Sequence, residues 1–524
     1  MPQSWRINVQ ELDRSQTLIP EAGSTGAMVI SSRRGPKTPI YVSSRQETRI
    51  IDLFGKPSST YPDVWEAIQY NKTAPIWLAS PFDASDTFSG VIVGTDGSVQ
   101  LASDGPTLSE IDNYSFASDT DYFALFARSP SNEDNFGVKV SYDSSTELFT
   151  VIVYYTTDNG VTWTEKGTYT VSPIEGKKDG FGSNVFVENI FDGTNNDFLI
   201  AKTNITADFL DPGNSFTNDT NPVLLTGGNR TPSDATSRVS VWDSFQKTRQ
   251  YKADIFLDNS TEADVLDAFN SLRANYQKYA YYLFAMPDNE TVSTAQTTKT
   301  AYSLNNAGIA LYWNHAKVRD TYNGSYFWTS LIGRVGTKYA EMTDIFNGGA
   351  PAWTDENNHG GQLGTGIIEM RYDPTEDELQ TLDEAGINAI ILDPRYGAMI
   401  TSQRTGQSPG NLSDNSWVAH RRLFDYILSN IIEKVLPYQL VKLNDEAHRQ
   451  RVYAQTDSIL RPIVDSGLLS EGVPICDRSN NTDEVLAQRK FVLDVIVKVT
   501  PYSERVTLRF THVGQTVDVQ QLTQ

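Results

Sequence analysis

Asp254-Ile255-Phe256-Leu257-Asp258, Tyr281-Tyr282-Leu283-Phe284-Ala285-Met286 and Ile309-Ala310-Leu311-Tyr312-Trp313, separated by two helical stretches, decide the fold of this 524-residue chain. Each run is short, continuous and apolar, as in a strand buried on both faces. Thr261 is placed to cap the first intervening helix, which the spacing carries through Lys278 with Ala263, Leu266, Phe269 and Leu272 on one side. Strand–helix–strand–helix–strand predicts parallel strands with helices on the faces. A further helix is predicted around residues 327–346, closed by the loop Asn347-Gly348-Gly349-Ala350-Pro351.

Toward the N-terminus, residues 23–83 read as a compact opening unit. Ala27-Met28-Val29-Ile30 and Ile40-Tyr41-Val42 are strands around the turn-rich Arg33-Arg34-Gly35-Pro36-Lys37-Thr38-Pro39, and Tyr61-Pro62 starts a helix with proline in its first turn. Residues 84–235 differ in texture, being rich in Gly, Asp, Asn, Ser, Thr and aromatics. Leu148–Tyr155 and Val185-Phe186-Val187 read as strands there, so the segment is one all-β insertion or two small ones. Residues 236–374 hold the α/β pattern above.

Residues 375–512 form an α+β C-terminal unit. Thr375-Glu376-Asp377-Glu378 opens a helix by capping-box logic, and Gly386–Ile391 enters a strand. A helix over 415–436 carries Phe424, Ile427, Leu428, Ile431, Ile432 and Val435 on one face and stops at Pro437. Asn444-Asp445 caps the next helix, which Pro462 must kink or end. Val492–Val499 is a strand, and Val506, Leu508 and Phe510 alternate in another. The fold class is therefore α+β and multidomain.

The two ends, 1–22 and 513–524, form extended arms. Trp5-Arg6-Ile7-Asn8-Val9 and Thr516-Val517-Asp518-Val519-Gln520 alternate apolar and polar, with Trp5, Ile7, Val9, Val517 and Val519 on the apolar face. Each is too short to carry its own sheet. Such a strand completes another sheet edge, in its own domain or in a neighbouring subunit.

The formal net charge of −22 repels phosphate backbones, which argues against nucleic-acid binding. It also makes self-association costly unless the charge lies away from the contacts. One cysteine, Cys476, rules out internal disulfides and multi-cysteine metal sites, and five histidines without HxxxH spacing argue against zinc. No cofactor is expected. No run of about 18 apolar residues predicts membrane insertion. The N-terminus lacks the apolar core of a signal peptide, so cytoplasmic synthesis and residence are expected.

Thr156-Thr157-Asp158-Asn159-Gly160-Val161-Thr162-Trp163 fits the Asp-box of sialidases and related propellers. Its chemistry is structural: Asp158 bonds turn amides, Gly160 supplies positive φ and Trp163 packs beneath. One copy reads as a single hairpin, since propellers repeat the unit. The alternative is a virion carbohydrate-binding or glycosidase-like β-protein. His315 and His359 have no serine nucleophile turn beside them, and the glycine-rich stretches lack the Lys-Ser/Thr of a phosphate loop. An enzyme is not expected.

Several landmarks together resemble the tail sheath proteins of contractile bacteriophage tails. They are Gly35-Pro36 with Pro39-Ile40, Phe54-Gly55-Lys56-Pro57, Gly386-Ile387-Asn388-Ala389-Ile390, and Gln403-Arg404-Thr405. Trp417 through Arg421-Arg422-Leu423 to Asp425-Tyr426-Ile427 follows, then Leu443-Asn444-Asp445, Cys476-Asp477 with Asn480-Asn481-Thr482, and Val495 through Pro501 with Glu504-Arg505-Val506. Ala447 and His448 depart from the family, which often has aromatics around the Asn-Asp helix.

The resemblance implies subunits stacked as hexameric rings around a tail tube, with baseplate and tail terminator proteins as further partners. It implies arms exchanged between neighbours, a subtilisin-like middle region without protease activity, an outward insertion at 84–235, and a place in the virion after assembly in the host cytoplasm. Gly23, Gly26 and Gly514 could let the arms swing. His420, Arg421, Arg422, Arg449 and Arg451 would face the tube, unless they are ordinary solvated helix faces.

Overall fold

The computed structural model describes residues 25–101, 104–131, 136–156, 158, 160–192, 198–205, 216–231, 234–288, 290–344, 361–407, 413–439 and 442–501. These fall into two compact units, divided between Tyr426 and Ile427. Both arms, Gly23, Gly514, His359, the loop at 347–351 and the alternating Val506–Phe510 run lie outside the described residues.

The first unit opens with β1 (Gly26–Val29), β2 (Ile40–Val42), α1 (Glu47–Phe54), α2 (Pro62–Asn71) and β3 (Ile76–Ala79). Pro62 occupies the start of α2, where its missing N–H leaves no bond unmade. Two four-stranded antiparallel sheets follow. They are built from β4 (Gly90–Gly94), β5 (Gly97–Gln100), β6 (Asp121–Ala127), β7 (Phe136–Asp143), β8 (Leu148–Tyr155), β9 (Thr164–Val171), β10 (Leu199–Thr203) and β11 (Val223–Leu224). Their orders are β10-β6-β4-β5 and β11-β7-β8-β9. One cluster of inward residues, including Val91, Phe123, Val138, Val151 and Phe149, joins them. Two short helices, α3 (Leu108–Asp112) and α4 (Val187–Ile190), sit in the connections.

Val185–Val187 is therefore not a strand. Val187 and Phe191 stand one helical turn apart and are both fully buried, and the turn between them is closed by the Phe191 amide, which donates to the Val187 carbonyl at 3.0 Å.

The segment leaves and returns side by side. Thr87 bridges Asn229 and Gly90 bridges Thr226. Arg230 then donates from Nη2 to the Pro81 carbonyl at 2.7 Å and the Ser80 hydroxyl at 2.5 Å. Burial lowers its pKa to about 10.

Next come α5 (Ala235–Trp242), β12 (Ile255–Asp258), α6 (Ala263–Asn275), β13 (Tyr281–Ala285), α7 (Val292–Ala301) and β14 (Ile309–Trp313). A three-stranded sheet of β15 (Ala316–Asp320), β16 (Ser325–Thr329) and β17 (Ile367–Met370) surrounds α8 (Ile332–Asp344) in sequence. Then follow α9 (Glu376–Glu384), β18 (Asn388–Asp393) and β19 (Gly397–Ile400). The predicted parallel pairing holds for β12, β13 and β14.

The central sheet is larger than that pattern suggests, with order β19-β18-β14-β13-β12-β1-β3-β2. Segments 23–83, 236–374 and the start of 375–512 thus share one sheet. Met28, Leu257, Leu283 and Tyr312 face α2 and α8, while Ala27, Val29, Phe256, Tyr282 and Trp313 face α5, α6 and α9. Two covered faces explain the unbroken apolar runs.

Thr261 does not cap α6. It has φ +64, and Glu262 takes the cap position. Ala263 is exposed, whereas Val265, Leu266, Phe269 and Leu272 are buried. The stretch from 327 begins as β16 and becomes helical at Ile332. Thr375 forms the predicted capping box with Glu378.

The second unit contains the C-terminal part of α10 (Val418–Lys434), then α11 (Glu446–Asp465), β20 (Leu469–Ile475), α12 (Asp483–Ala487) and β21 (Asp494–Val499). Asp445 caps α11 by accepting from the His448 N–H at 2.7 Å. Pro462 lies in its last turn, and the helix stops at Asp465.

Candidate assembly surfaces

In an open parallel sheet a ligand takes the crevice where strand order reverses. Here that point lies between β1 and β12, because β3 lies on one side of β1 and the later strands lie on the other. A side chain fills it. Arg238 of α5 donates to Asp63 at 3.0 Å, Asp258 at 2.8 Å and the Val29 carbonyl at 2.7 Å. Trp242 Nε1 donates to the other Asp258 oxygen at 2.7 Å, and Asn259 to the other Asp63 oxygen at 2.9 Å. Burial works against the Arg238 charge, yet Asp258 and Asp63 hold its pKa above the ordinary value.

Three other buried titratable groups lie away from this crevice. Glu66 of α2 accepts from the Leu331 and Gly333 amides at 2.9 and 2.7 Å and from the Thr329 hydroxyl at the start of α8. Burial raises it to about 7. His315 is buried beside Asp288, 3.8 Å away, and burial lowers it to about 4. Lys299 donates to the Leu304 and Gly406 carbonyls and is lowered by burial to about 8. No group of three metal-ligating side chains occurs among the described residues.

The Asp-box is the turn between β8 and β9. Asp158 accepts from the Val161 and Thr162 amides at 3.1 and 2.8 Å and from the Thr162 hydroxyl. These bonds, the hydroxyl's first, hold its pKa well below the usual range. Gly160 takes φ +87, and the Trp163 ring lies against Gly137 of β7. Both Asp158 carboxylate oxygens are taken up by the turn.

In the second unit the two-stranded sheet β20–β21 stands out. Gly472 of β20 lies under Leu460 and Val464 of α11, which covers one face. Val473 is 50% and Ile496 60% exposed. A two-stranded ribbon is marginal by itself. Its connecting loop is fixed from within: the Asn481 side chain and the Val492 backbone exchange hydrogen bonds at 2.8 and 2.9 Å, and Asn480 donates to the Ile475 carbonyl at 2.7 Å. The Cys476-Asp477…Asn480-Asn481 landmark is therefore structural. Burial pushes the Cys476 thiol up to about 11.

The ribbon's edges differ. Pro474 removes one N–H from β20, whereas β21, Asp494-Val495-Ile496-Val497-Lys498-Val499, keeps a donor and an acceptor at every residue. Nothing in the sequence reading picked out this asymmetry; Pro474 inside an alternating run was its signal.

The predicted basic face is mostly consumed inside the fold. His420 is buried. Arg422 is 6% exposed, lies 4.5 Å over the Tyr339 ring and donates to the Tyr339 carbonyl at 2.7 Å. Arg421 pairs with Asp425, which Arg273 also grips at 2.7 and 2.8 Å. Arg449, 3% exposed, donates to Asn444 and Glu446. Of the five, Arg451 is the exposed one. Arg422 and Arg449 are thus held inside their own subunit, and Arg421 is half-buried against Asp425.

Gly26 is also corrected. It lies within β1, paired with Ile255 and Ile76, and a Cβ there would stand 2.5 Å from the Tyr70 ring. It is glycine because Tyr70 needs the space, so it cannot serve as a swivel.

No family model matches the chain. Among characterised proteins it is similar to tail sheath proteins: that of Enterobacteria phage T4, 21% identical over 378 residues, and that of Vibrio phage KVP40, 25% identical over 205. The matches cover 67% and 39% of this chain and 55% and 30% of those proteins, so the chain spans about half or less of the curated relatives it matches. The fold agrees. A solved sheath tail protein of Listeria innocua superimposes with a TM-score of 0.54 over 92% of this chain and 96% of its own, at 12% identity.

Proposed function

We propose that the chain is a structural, non-enzymatic subunit of a contractile tail sheath. Copies stack as hexameric rings around a tail tube, meet baseplate and tail terminator proteins at the ends, and contract to drive the tube through the host envelope for genome delivery. The protein is a virion component assembled in the host cytoplasm.

The observation that carries this reading is the open β20–β21 ribbon in a chain whose relatives are sheath proteins. The arms, with Trp5, Ile7 and Val9 or Val517 and Val519 on their apolar faces, supply strands to the β21 edge of a neighbour. Each backbone bond contributes about 0.5–1.5 kcal/mol net, so one link is weak and a lattice of them is strong. The filled crevice at Arg238 supports a non-enzymatic role. The run of parallel strands and crossover helices supports a subtilisin-like layout for the middle region. Tube contact is assigned to Arg451, and residues 84–235 lie outward, where their acidity does not oppose packing.

Electron microscopy tests this. Deleting residues 1–15 leaves soluble monomer and abolishes extended sheath, and Val497→Pro on the β21 edge does the same with both arms intact. Extended sheath of normal length from either variant overturns the reading.

A further inference from the structure

The N-terminal arm joins the fold at an interior strand of the central sheet. Thr25 is followed directly by β1, which has parallel partners on both sides, Gly26–Met28 against Ile255–Leu257 and Gly26–Val29 against Ile76–Ala79. All four residues of β1 are buried. Its first end is fastened by the Thr25 carbonyl, which accepts from the Asp254 and Ile255 amides at 2.8 and 3.2 Å, and by the Gly26 amide, which donates to Pro75 at 2.9 Å. Its far end is fastened by the Ile30 amide to Ala79, the Ser31 amide to Asp63 and the Val29 carbonyl to Arg238.

Direction of pull matters for such a strand. Force along β1 loads its bonds to β3 and β12 together, whereas force across the sheet opens them one after another. A steric stop adds to this. Side chains two apart share a face of a strand. Slipping β1 toward the arm by one repeat would carry Met28 into the place of Gly26, where even a Cβ meets the Tyr70 ring at 2.5 Å.

We propose that β1 is a mechanical clamp: it transmits tension from the N-terminal arm into the centre of the sheet by shear, and the Gly26–Tyr70 contact blocks its withdrawal. This rests on the reading that a neighbouring subunit holds the arm.

Single-molecule pulling tests the clamp on the full chain in a Cys476→Ser background. One handle is the N-terminus. The other is a thiol at Glu262→Cys, beyond the far end of β12, or at Lys278→Cys, before the start of β13. Both positions are exposed. The first geometry shears β1 and the second peels it. The expected result is a rupture force severalfold higher for Glu262→Cys. Equal forces in the two geometries overturn the clamp. Assembly seen by microscopy stands apart from this outcome, so failure of the clamp and failure of the sheath reading are separable.

Discussion

Replacing Arg238 with methionine leaves Asp63 and Asp258 buried together, with the cation that held them at 3.0 and 2.8 Å gone. Methionine fills much of the volume, so packing changes little and the electrostatic loss dominates. Removing one partner of a buried pair costs about 3–5 kcal/mol, because the other charge stays desolvated. Here two carboxylates are stranded, and the Val29 carbonyl loses its donor as well. The expected loss at pH 7 is about 4 kcal/mol or more. Equilibrium urea unfolding, followed through buried Trp242, measures it.

The pH dependence supplies the check. Without Arg238 the two buried carboxylates carry a desolvated negative charge that protonation removes. An acid with a raised folded pKa stabilises the fold below its unfolded pKa and loses that contribution as pH rises. The deficit of Arg238→Met relative to the native chain therefore narrows as pH falls from 7 toward 4. A loss under about 1 kcal/mol at pH 7, the scale of an exposed ion pair, or a deficit that ignores pH, refutes the account.

Glu66 gives the native chain its own pH signature. Its pKa is raised from 4.5 to about 7, so it stabilises the fold below about 4.5 and loses about 3 kcal/mol of that contribution as pH rises through 7. Glu66→Gln flattens this slope in urea titrations at several pH values. Gly26→Ala forces a methyl against Tyr70 and costs about 1–3 kcal/mol by thermal or urea unfolding, where a free swivel would tolerate it. Asp158→Ala frees the Val161 and Thr162 amides, seen as faster hydrogen exchange confined to the β8–β9 turn.

What the sequence revealed follows from where the physics is local. The runs at 255–257, 281–285 and 309–313 announced parallel buried strands, because a strand covered on both faces reads as a continuous apolar stretch. Thr375 and Asp445 announced their helices, because a cap bonds within three residues. Membership of β1, β3 and β18 in the same sheet was hidden, since pairing of Gly26 with Ile255 joins residues far apart in the chain and leaves no local mark. Thr261 misled for a related reason: a good capping residue takes φ +64 in the turn before the helix, and Glu262 holds the cap position instead. The basic residues misled because charge counted along a helix does not say whether the side chain reaches water. Arg422 and Arg449 are polar in composition and interior in fact.

The crossing of the 84–230 segment has a use of its own. Its outgoing and returning chains are paired at Thr87–Asn229 and Gly90–Thr226, so they pass through one strand spacing, about 5 Å. Arg230 secures the returning chain to the outgoing one at Ser80 and Pro81, on the side of the central sheet. A foreign domain whose two ends lie that close would fit between Gly90 and Thr226, at the loss of the Tyr155 contact with Arg34 and the Lys166 pair with Asp52. The same economy makes the crossing a natural socket, where one module could be traded for another while the central sheet is kept.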